Sequence, residues 1–214
     1  MYCSRKEGRQ MGLEGVKNKK LLYHLTKVSN MQNIIENGLM SRRELLNSDE
    51  LFEDVADPQI ISRREELDLD KYIPFHFHPY SAFDVAVKST YSADKFVYIC
   101  IKRALAEYKK FKILIKHPLS QQECKLYGYK EGMEKIDWEA MERVGAVDDY
   151  SRNVKMAECL TDEKISAELF QCIYVPDEET RGYIEYLFNV NGINEQPPYV
   201  DIQPKWFKRG EIQW

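Results

Sequence analysis

The first regular pattern along the chain is the β-rich run Leu21-Leu22-Tyr23-His24-Leu25-Thr26, which predicts a strand. Ser29 follows with Gln32 three residues on, the spacing of a capping box, and Met31, Ile34 and Ile35 then share one helical face until Asn37-Gly38 ends the helix. Arg42–Leu46 continues as a short helix. The acidic stretch that runs on to Asp70 reads as a long, irregular surface excursion. Tyr72–Pro79 alternates large apolar and polar residues between prolines, the pattern of a short strand reaching the rim of a sheet. Further strands are expected at Phe96–Lys102, Phe111–Ile115, Lys155–Leu160, Cys172–Val175 and Tyr199–Ile202, and helices at Asp137–Val144 and Glu178–Phe188, with Gly145–Arg152 irregular. Strands outnumber helices in this reading and no regular βαβ alternation is present, so the predicted class is α+β, a central sheet flanked by helices. Residues 1–20 are a polar lead-in expected to be flexible, and 21–214 a single domain.

At 214 residues, 43% hydrophobic and 31% charged, the chain has the composition of a globular protein. Its net charge of -4 argues against bulk electrostatic capture of nucleic acid, so any such binding has to be local. Five cysteines, an odd number without C-x-x-C spacing, suggest neither a disulfide framework nor a zinc site and fit a reducing cytoplasm. No apolar run is long enough to span a bilayer, and the N-terminus lacks the apolar core of a signal peptide. Membrane association is not expected.

Phosphate-binding loops of the P-loop and Rossmann types are absent, as is a G-x-S-x-G elbow. His76-x-His78 has metal-ligand spacing on a strand, but with four histidines in the chain no ligand set is completed, and the pair reads as rim residues. No metal is expected. Taken alone, His24 fits a structural histidine and Arg64 a surface charge pairing along a helix. Glu158 stands out, because a carboxylate inside Met156-Ala-Glu-Cys-Leu160 has to be paired, exposed on an open face, or functional.

In order, these segments resemble the DarT family of DNA ADP-ribosyltransferase toxins. Leu22–Leu39 is similar to that family's opening strand and helix, with His24, Thr26, Asn30 and Gly38 at its characteristic positions. Val55-Ala-Asp-Pro-Gln-Ile-Ile-Ser-Arg-Arg64 resembles its I-x-[DN]-P-x-I-x-x-x-R element, and Asp70–Ser81 its H-D-Y-V-P-F-Y-F-x-P-x-S block. Ile136–Ala140, Lys155–Glu158 and the aromatic Pro204–Phe207 are similar to later blocks, so the likeness runs from about Leu21 to Phe207. Departures are Leu69-Asp70-Lys71 in place of the family's His-Asp, and Leu114-Ile115 in place of a threonine-aspartate ahead of His117.

The resemblance implies an ADP-ribosyltransferase fold and transfer of ADP-ribose from NAD to a nucleobase of single-stranded DNA, with nicotinamide released. It places Glu158, Arg64 and His117 in the catalytic group. Glu158 would stabilise oxocarbenium-like charge on the ribose and help remove a proton from the attacking nitrogen, and Arg64 would suit the pyrophosphate. His24, Thr26, Asn30 and Gly38 would border the NAD cleft. Arg143, Tyr150, Arg152 and Lys155 lie in the segment corresponding to the substrate-recognition loop, where cations and a ring suit a single strand. A macrodomain-type antitoxin is the implied partner, within a toxin–antitoxin or phage-defence system. Transfer to RNA or protein, or an inactive nucleic-acid-binding module on the same fold, are the competing readings.

Overall fold

Strand β1 (Leu21–Lys27) is the run read from the sequence, and a single turn of 3-10 helix carries the chain from it into α1 (Met31–Asn37), followed by α2 (Arg42–Leu46) and α3 (Pro58–Glu66). This architecture is that of a computed structural model, which describes residues 15–48, 52–54, 58–79, 81–120, 125–143 and 148–207. Next come β2 (Ile73–His76), α4 (Ala82–Thr90), β3 (Phe96–Lys102), α5 (Arg103–Tyr108), β4 (Lys112–Leu114), β5 (Tyr127–Gly128), α6 (Tyr129–Lys135) and α7 (Trp138–Glu142). The chain ends with α8 (Asp149–Lys155), β6 (Glu158–Thr161), β7 (Cys172–Val175), α9 (Glu178–Val190) and β8 (Tyr199–Ile202). One eight-stranded sheet runs β5-β4-β6-β2-β1-β3-β7-β8, antiparallel throughout except for the β7–β8 pair.

Alternation along the strands divides the buried side chains between two layers. Leu22, Phe75, Val97, Ile99, Cys159 and Ile173 face α1, α7, α8 and α9 in the main core, whereas Tyr23, Leu25, Tyr98, Cys100 and Cys172 pack with Val87 of α4. Trp206 and Phe207 complete that second layer. Val16 is also fully buried in the main core. Packed chain therefore begins inside the expected lead-in, and residues 1–14 lie outside the described residues.

The class is the expected mixed α+β with a central sheet, but several details differ from the sequence reading. Nine α-helices and eight strands occur among the described residues, so strands do not outnumber helices. Helices α4, α5 and α6 are additional to the sequence reading; α4 opens on a capping box, Ser81 N–H donating to Asp84 Oδ2 at 2.9 Å and Asp84 N–H to Ser81 Oγ at 3.1 Å. Ser29 caps nothing: α1 is entered through Asn30 with no side-chain cap, and Gln32 donates to Glu36 Oε1 instead. The excursion before Asp70 contains α3, which starts at a proline as helices tolerate. Four of its acids are matched from α2, Arg42 pairing with Asp54 and Glu65, and Arg43 with Asp68 and Asp70. Lys155 ends a helix rather than starting a strand, because Asp148 caps α8 by accepting the Ser151 N–H at 2.7 Å. Of the expected irregular stretch, 145–147 lie outside the described residues, as does Val144 at the end of the expected helix.

Strand β2 is central, between β6 and β1, so His76 and His78 are buried instead of standing at a rim. The two halves of the molecule are braced at this point by Arg103, whose buried guanidinium donates to the carbonyls of Lys17, Leu21 and Phe77.

Candidate active site

Strand β1 is registered with β3 along its whole length, Leu21↔Lys102 through Lys27↔Phe96, but with β2 at Tyr23↔His76 alone among the described residues. Beyond that pair the two strands diverge. Pro74 sits at the divergence, where its missing N–H costs no ladder bond. One side-chain bond crosses the gap: His24 Nδ1 lies 2.8 Å from the Pro74 carbonyl oxygen. The cleft so opened is roofed by apolar side chains of Ile34, Leu39, Ile60 and Ile61 and reaches down to Glu158.

Glu158 begins β6, opposite His76 on one side and Leu114 on the other, so all three point to the same face. It is 5% exposed. Arg64, from the last turn of α3, donates from Nη1 to Oε1 at 2.9 Å and to Oε2 at 2.8 Å, and its Nη2 reaches the Leu69 carbonyl at 3.4 Å. Burial pushes the Glu158 carboxyl up, but Arg64, with His76 and His117 close by, outweighs it and holds the group below the usual carboxylate range. An ionised carboxylate is thus fixed at the base of a largely apolar cleft.

Three imidazoles line the same cleft. His24 donates its Nδ1–H to Pro74, which leaves Nε2 as an acceptor, and burial lowers the ring to about 4, so it is neutral. His117 accepts the Leu119 N–H at Nδ1, 3.3 Å, which puts the proton of its neutral form on Nε2, and burial lowers it too. His76 packs its ring against Phe83, and its buried Nδ1 has no hydrogen-bond partner among the described residues. By its sequence pattern His76 reads as a rim residue, whereas in the structure it is buried and lines the cleft. The available signal was its position two residues after Pro74 in the same block.

His78 does not join His76 in a metal site. Its two ring nitrogens each lie 3.0 Å from a carbonyl oxygen, those of Pro79 and Lys155.

Thr26, Asn30, Gly38, Arg64, His24, His117 and Glu158 all reach the cleft, so the structure gathers the residues assigned to catalysis and to NAD. Asn30 also anchors the cleft wall, its Oδ1 accepting the Glu53 N–H at 2.8 Å and its Nδ2 donating to the Glu53 carbonyl at 3.0 Å. Gly38 has φ 88°, and a Cβ there would meet the Ile165 carbonyl oxygen at 3.0 Å, so glycine is required at that turn. The four residues assigned to the DNA strand do not line the cleft. Tyr150, with Lys116 above its ring, and Arg152 are exposed on α8, and Arg143 is tied to Asp148 and Ser151. Lys155 is 1% exposed and donates to the Met141 carbonyl at 2.7 Å, with burial lowering its ammonium to about 8, so it is turned away from any surface strand.

Comparison with known proteins adds to this geometry. The family described as ssDNA thymidine ADP-ribosyltransferase, DarT, matches residues 23–208. A search of curated protein sequences gives no match. Among solved structures, DarT of Thermus sp. 2.9 in complex with ADP-ribosylated ssDNA is similar with a TM-score of 0.75 and 20% identity, over 89% of this chain and 97% of that one. The same protein in complex with NAD+ gives 0.70 and 18%, over 88% and 98%. Thermosipho africanus DarTG in complex with ADP-ribose gives 0.68 and 20%, over 88% of this chain and 51% of that one. At these identities the likeness establishes a shared fold.

Two outcomes are expected from the packing alone. Arg64→Ala leaves a buried carboxylate uncompensated and should cost about 3–5 kcal/mol in chemical denaturation, part of it recovered by adding Glu158→Gln. A single variant as stable as the parent would contradict the pairing. His78 is fully buried and its ring is lowered to about 4 from an ordinary 6.5, so between those values the unfolded chain binds the extra proton. Stability should therefore fall as pH drops from about 6.5 to about 4, by less than the full shift implies because the Pro79 and Lys155 carbonyls both accept from a protonated ring. In His78→Gln the stability–pH curve should be shallower over that interval, and an unchanged slope would rule His78 out as its source.

Proposed function

Because the chain belongs to the DarT family of single-stranded-DNA thymidine ADP-ribosyltransferases, we propose that the cleft between β1 and β2 is where it binds NAD and transfers ADP-ribose to a thymine. The observation that carries this assignment is the ionised Glu158, held by Arg64 at the base of the cleft. Cleaving the bond between nicotinamide and ribose builds positive charge on the sugar, as in glycoside hydrolysis, and a carboxylate already fixed and desolvated stabilises that charge without reorganising. Arg64 serves first to orient Glu158 and keep it ionised, and presents positive charge to the phosphates that enter the cleft.

His24, Thr26, Asn30 and Gly38 form the wall assigned to NAD, with the apolar side chains of Ile34, Ile60 and Ile61 suited to the flat faces of its rings. His117 offers a donor from Nε2 beside Glu158. Tyr150 and Arg152 on α8, which leads directly into Glu158, are assigned to the approach of the single strand, Tyr150 as a stacking surface and Arg152 for phosphate. A base must be unstacked to reach the cleft, which fits a single-stranded acceptor. The Thermus protein's complexes with NAD+ and with ADP-ribosylated ssDNA support both co-substrates.

Residues 21–214, together with the packed turn at Val16–Asn18, are assigned to one catalytic domain. No helix among the described residues is long and apolar enough to cross a membrane, and NAD and DNA as co-substrates fit action in the cytoplasm. A macrodomain-type antitoxin is the assigned partner, in keeping with the DarTG of Thermosipho africanus, and toxicity within a defence system the assigned use.

The protein incubated with NAD and a thymidine-containing single-stranded oligonucleotide should add the mass of one ADP-ribose to the DNA. Glu158→Gln should slow this by about a hundredfold or more while NAD still binds. Transfer by Glu158→Gln at the parent rate would remove Glu158 from the chemistry.

A further inference from the structure

The transfer leaves one proton to be accounted for. Thymine's ring nitrogen N1 is bonded to deoxyribose, so N3 is the ring nitrogen open to a new bond, and N3 carries a hydrogen that has to go elsewhere as that bond forms. Glu158 is a poor acceptor for it. Both its oxygens hold Arg64 Nη1, and the same pairing that keeps the carboxylate ionised makes it a weak base.

The three imidazoles of the cleft differ in what their neighbours allow. His117 has its Nδ1 lone pair engaged by the Leu119 N–H, so it faces the cleft as a donor. His24 has its Nδ1–H engaged by Pro74, and burial has made the ring a weak base. His76 alone among them has no neighbour among the described residues fixing which nitrogen carries the proton: its Nδ1 is buried and unpartnered there, and its ring lies directly across the sheet register from Glu158. A buried nitrogen without a partner is destabilising, and such groups in native structures call for an explanation, a catalytic role among them.

We infer that His76 is the base that accepts the N3 proton of the acceptor thymine, an inference that rests on the reading of this cleft as the thymidine ADP-ribosylation site. As the bond from nicotinamide to C1 of its ribose breaks, the bonding pair leaves with nicotinamide, which loses its positive charge. N3 bonds to that carbon, and its proton passes to an imidazole nitrogen of His76. The imidazolium formed lies beside the Glu158 carboxylate, which stabilises it until the proton is lost to solvent. Charge balances, the positive charge moving from NAD to His76.

The other titratable and charged groups around His76 are Tyr23 and His24 on β1, His78 just beyond β2, Glu158 on β6, Arg64 on α3, Asp84 on α4 and His117. Because several of these titrate, a test at constant pH is cleaner than a pH profile. The full chain and its His76→Gln variant are compared on two single-stranded oligonucleotides, one with thymidine and one with 5-fluorodeoxyuridine at the acceptor position, whose N3–H is the more acidic. NAD binding is measured alongside, and His76→Asn replaces His76→Gln if the latter fails to bind NAD. The variant should transfer about a hundredfold more slowly to thymidine and show a much smaller deficit on 5-fluorodeoxyuridine, which needs little help to ionise. Equal deficits on both acceptors would make His76 a structural residue and overturn the inference, as would a variant with no deficit. If the unaltered protein transfers to neither acceptor, the reading of the cleft fails first, and this inference with it.

Discussion

A carboxylate sealed within a β-sheet is tolerable only when a cation reaches it, and the Arg64–Glu158 pair is the interaction on which the rest of this site depends. Desolvating two charges is costly, and their attraction offsets that cost only with close geometry and further hydrogen bonds. Here Nη1 contacts both carboxylate oxygens and Nη2 reaches the Leu69 carbonyl. The pair in turn dictates what its surroundings do. Helix α3 must pack its last turn over the end of β6, and the arginines of α2 make this possible by neutralising the acids on either side of it.

A cleft beside such a pair requires the sheet to open without falling apart. Strand β1 stays paired to β3 over its full length, and β2 is paired to β6 from Ile73↔Thr161 to His76↔Glu158, so each wall is secured to its own neighbour. Where β1 and β2 part, Pro74 has no N–H to leave unsatisfied and its carbonyl is met by His24. Lys27, at the far end of β1, is held by Glu53 and Asp94 over the ring of Tyr91, and Arg103 ties the start of β1 to Phe77 after β2. Both ends of the opening are therefore pinned, which suits a site whose work is to present fixed charges rather than to move them.

Much of this was legible in the residues and much was not, for physical reasons. Strand β1, the Gly38 turn and the importance of a carboxylate within Met156–Leu160 could be read locally, because apolar patterning and a positive-φ glycine are local signals. Arg64 read locally as a surface charge, since its partner lies on a strand far along the chain, and only the ordered family blocks pointed to its place. Helices α5 and α6, of six and seven residues, carry little period of their own, and the Ser81-x-x-Asp84 spacing that starts α4 was not read from the sequence. His76 looked like an edge residue because the strand's position in the sheet depends on pairings with β1 and β6 that no local pattern records. Lys155 looked available to DNA for the same reason: the Met141 carbonyl that holds it lies on another helix.

Where NAD sits tests the assignment of this cleft most directly. A crystal structure of this chain with a non-hydrolysable NAD analogue should place the nicotinamide ribose within hydrogen-bonding distance of Glu158, in the cleft between β1 and β2, with Arg64 still holding the carboxylate. An analogue bound elsewhere, or one seated in the cleft with its ribose out of reach of Glu158, would contradict it.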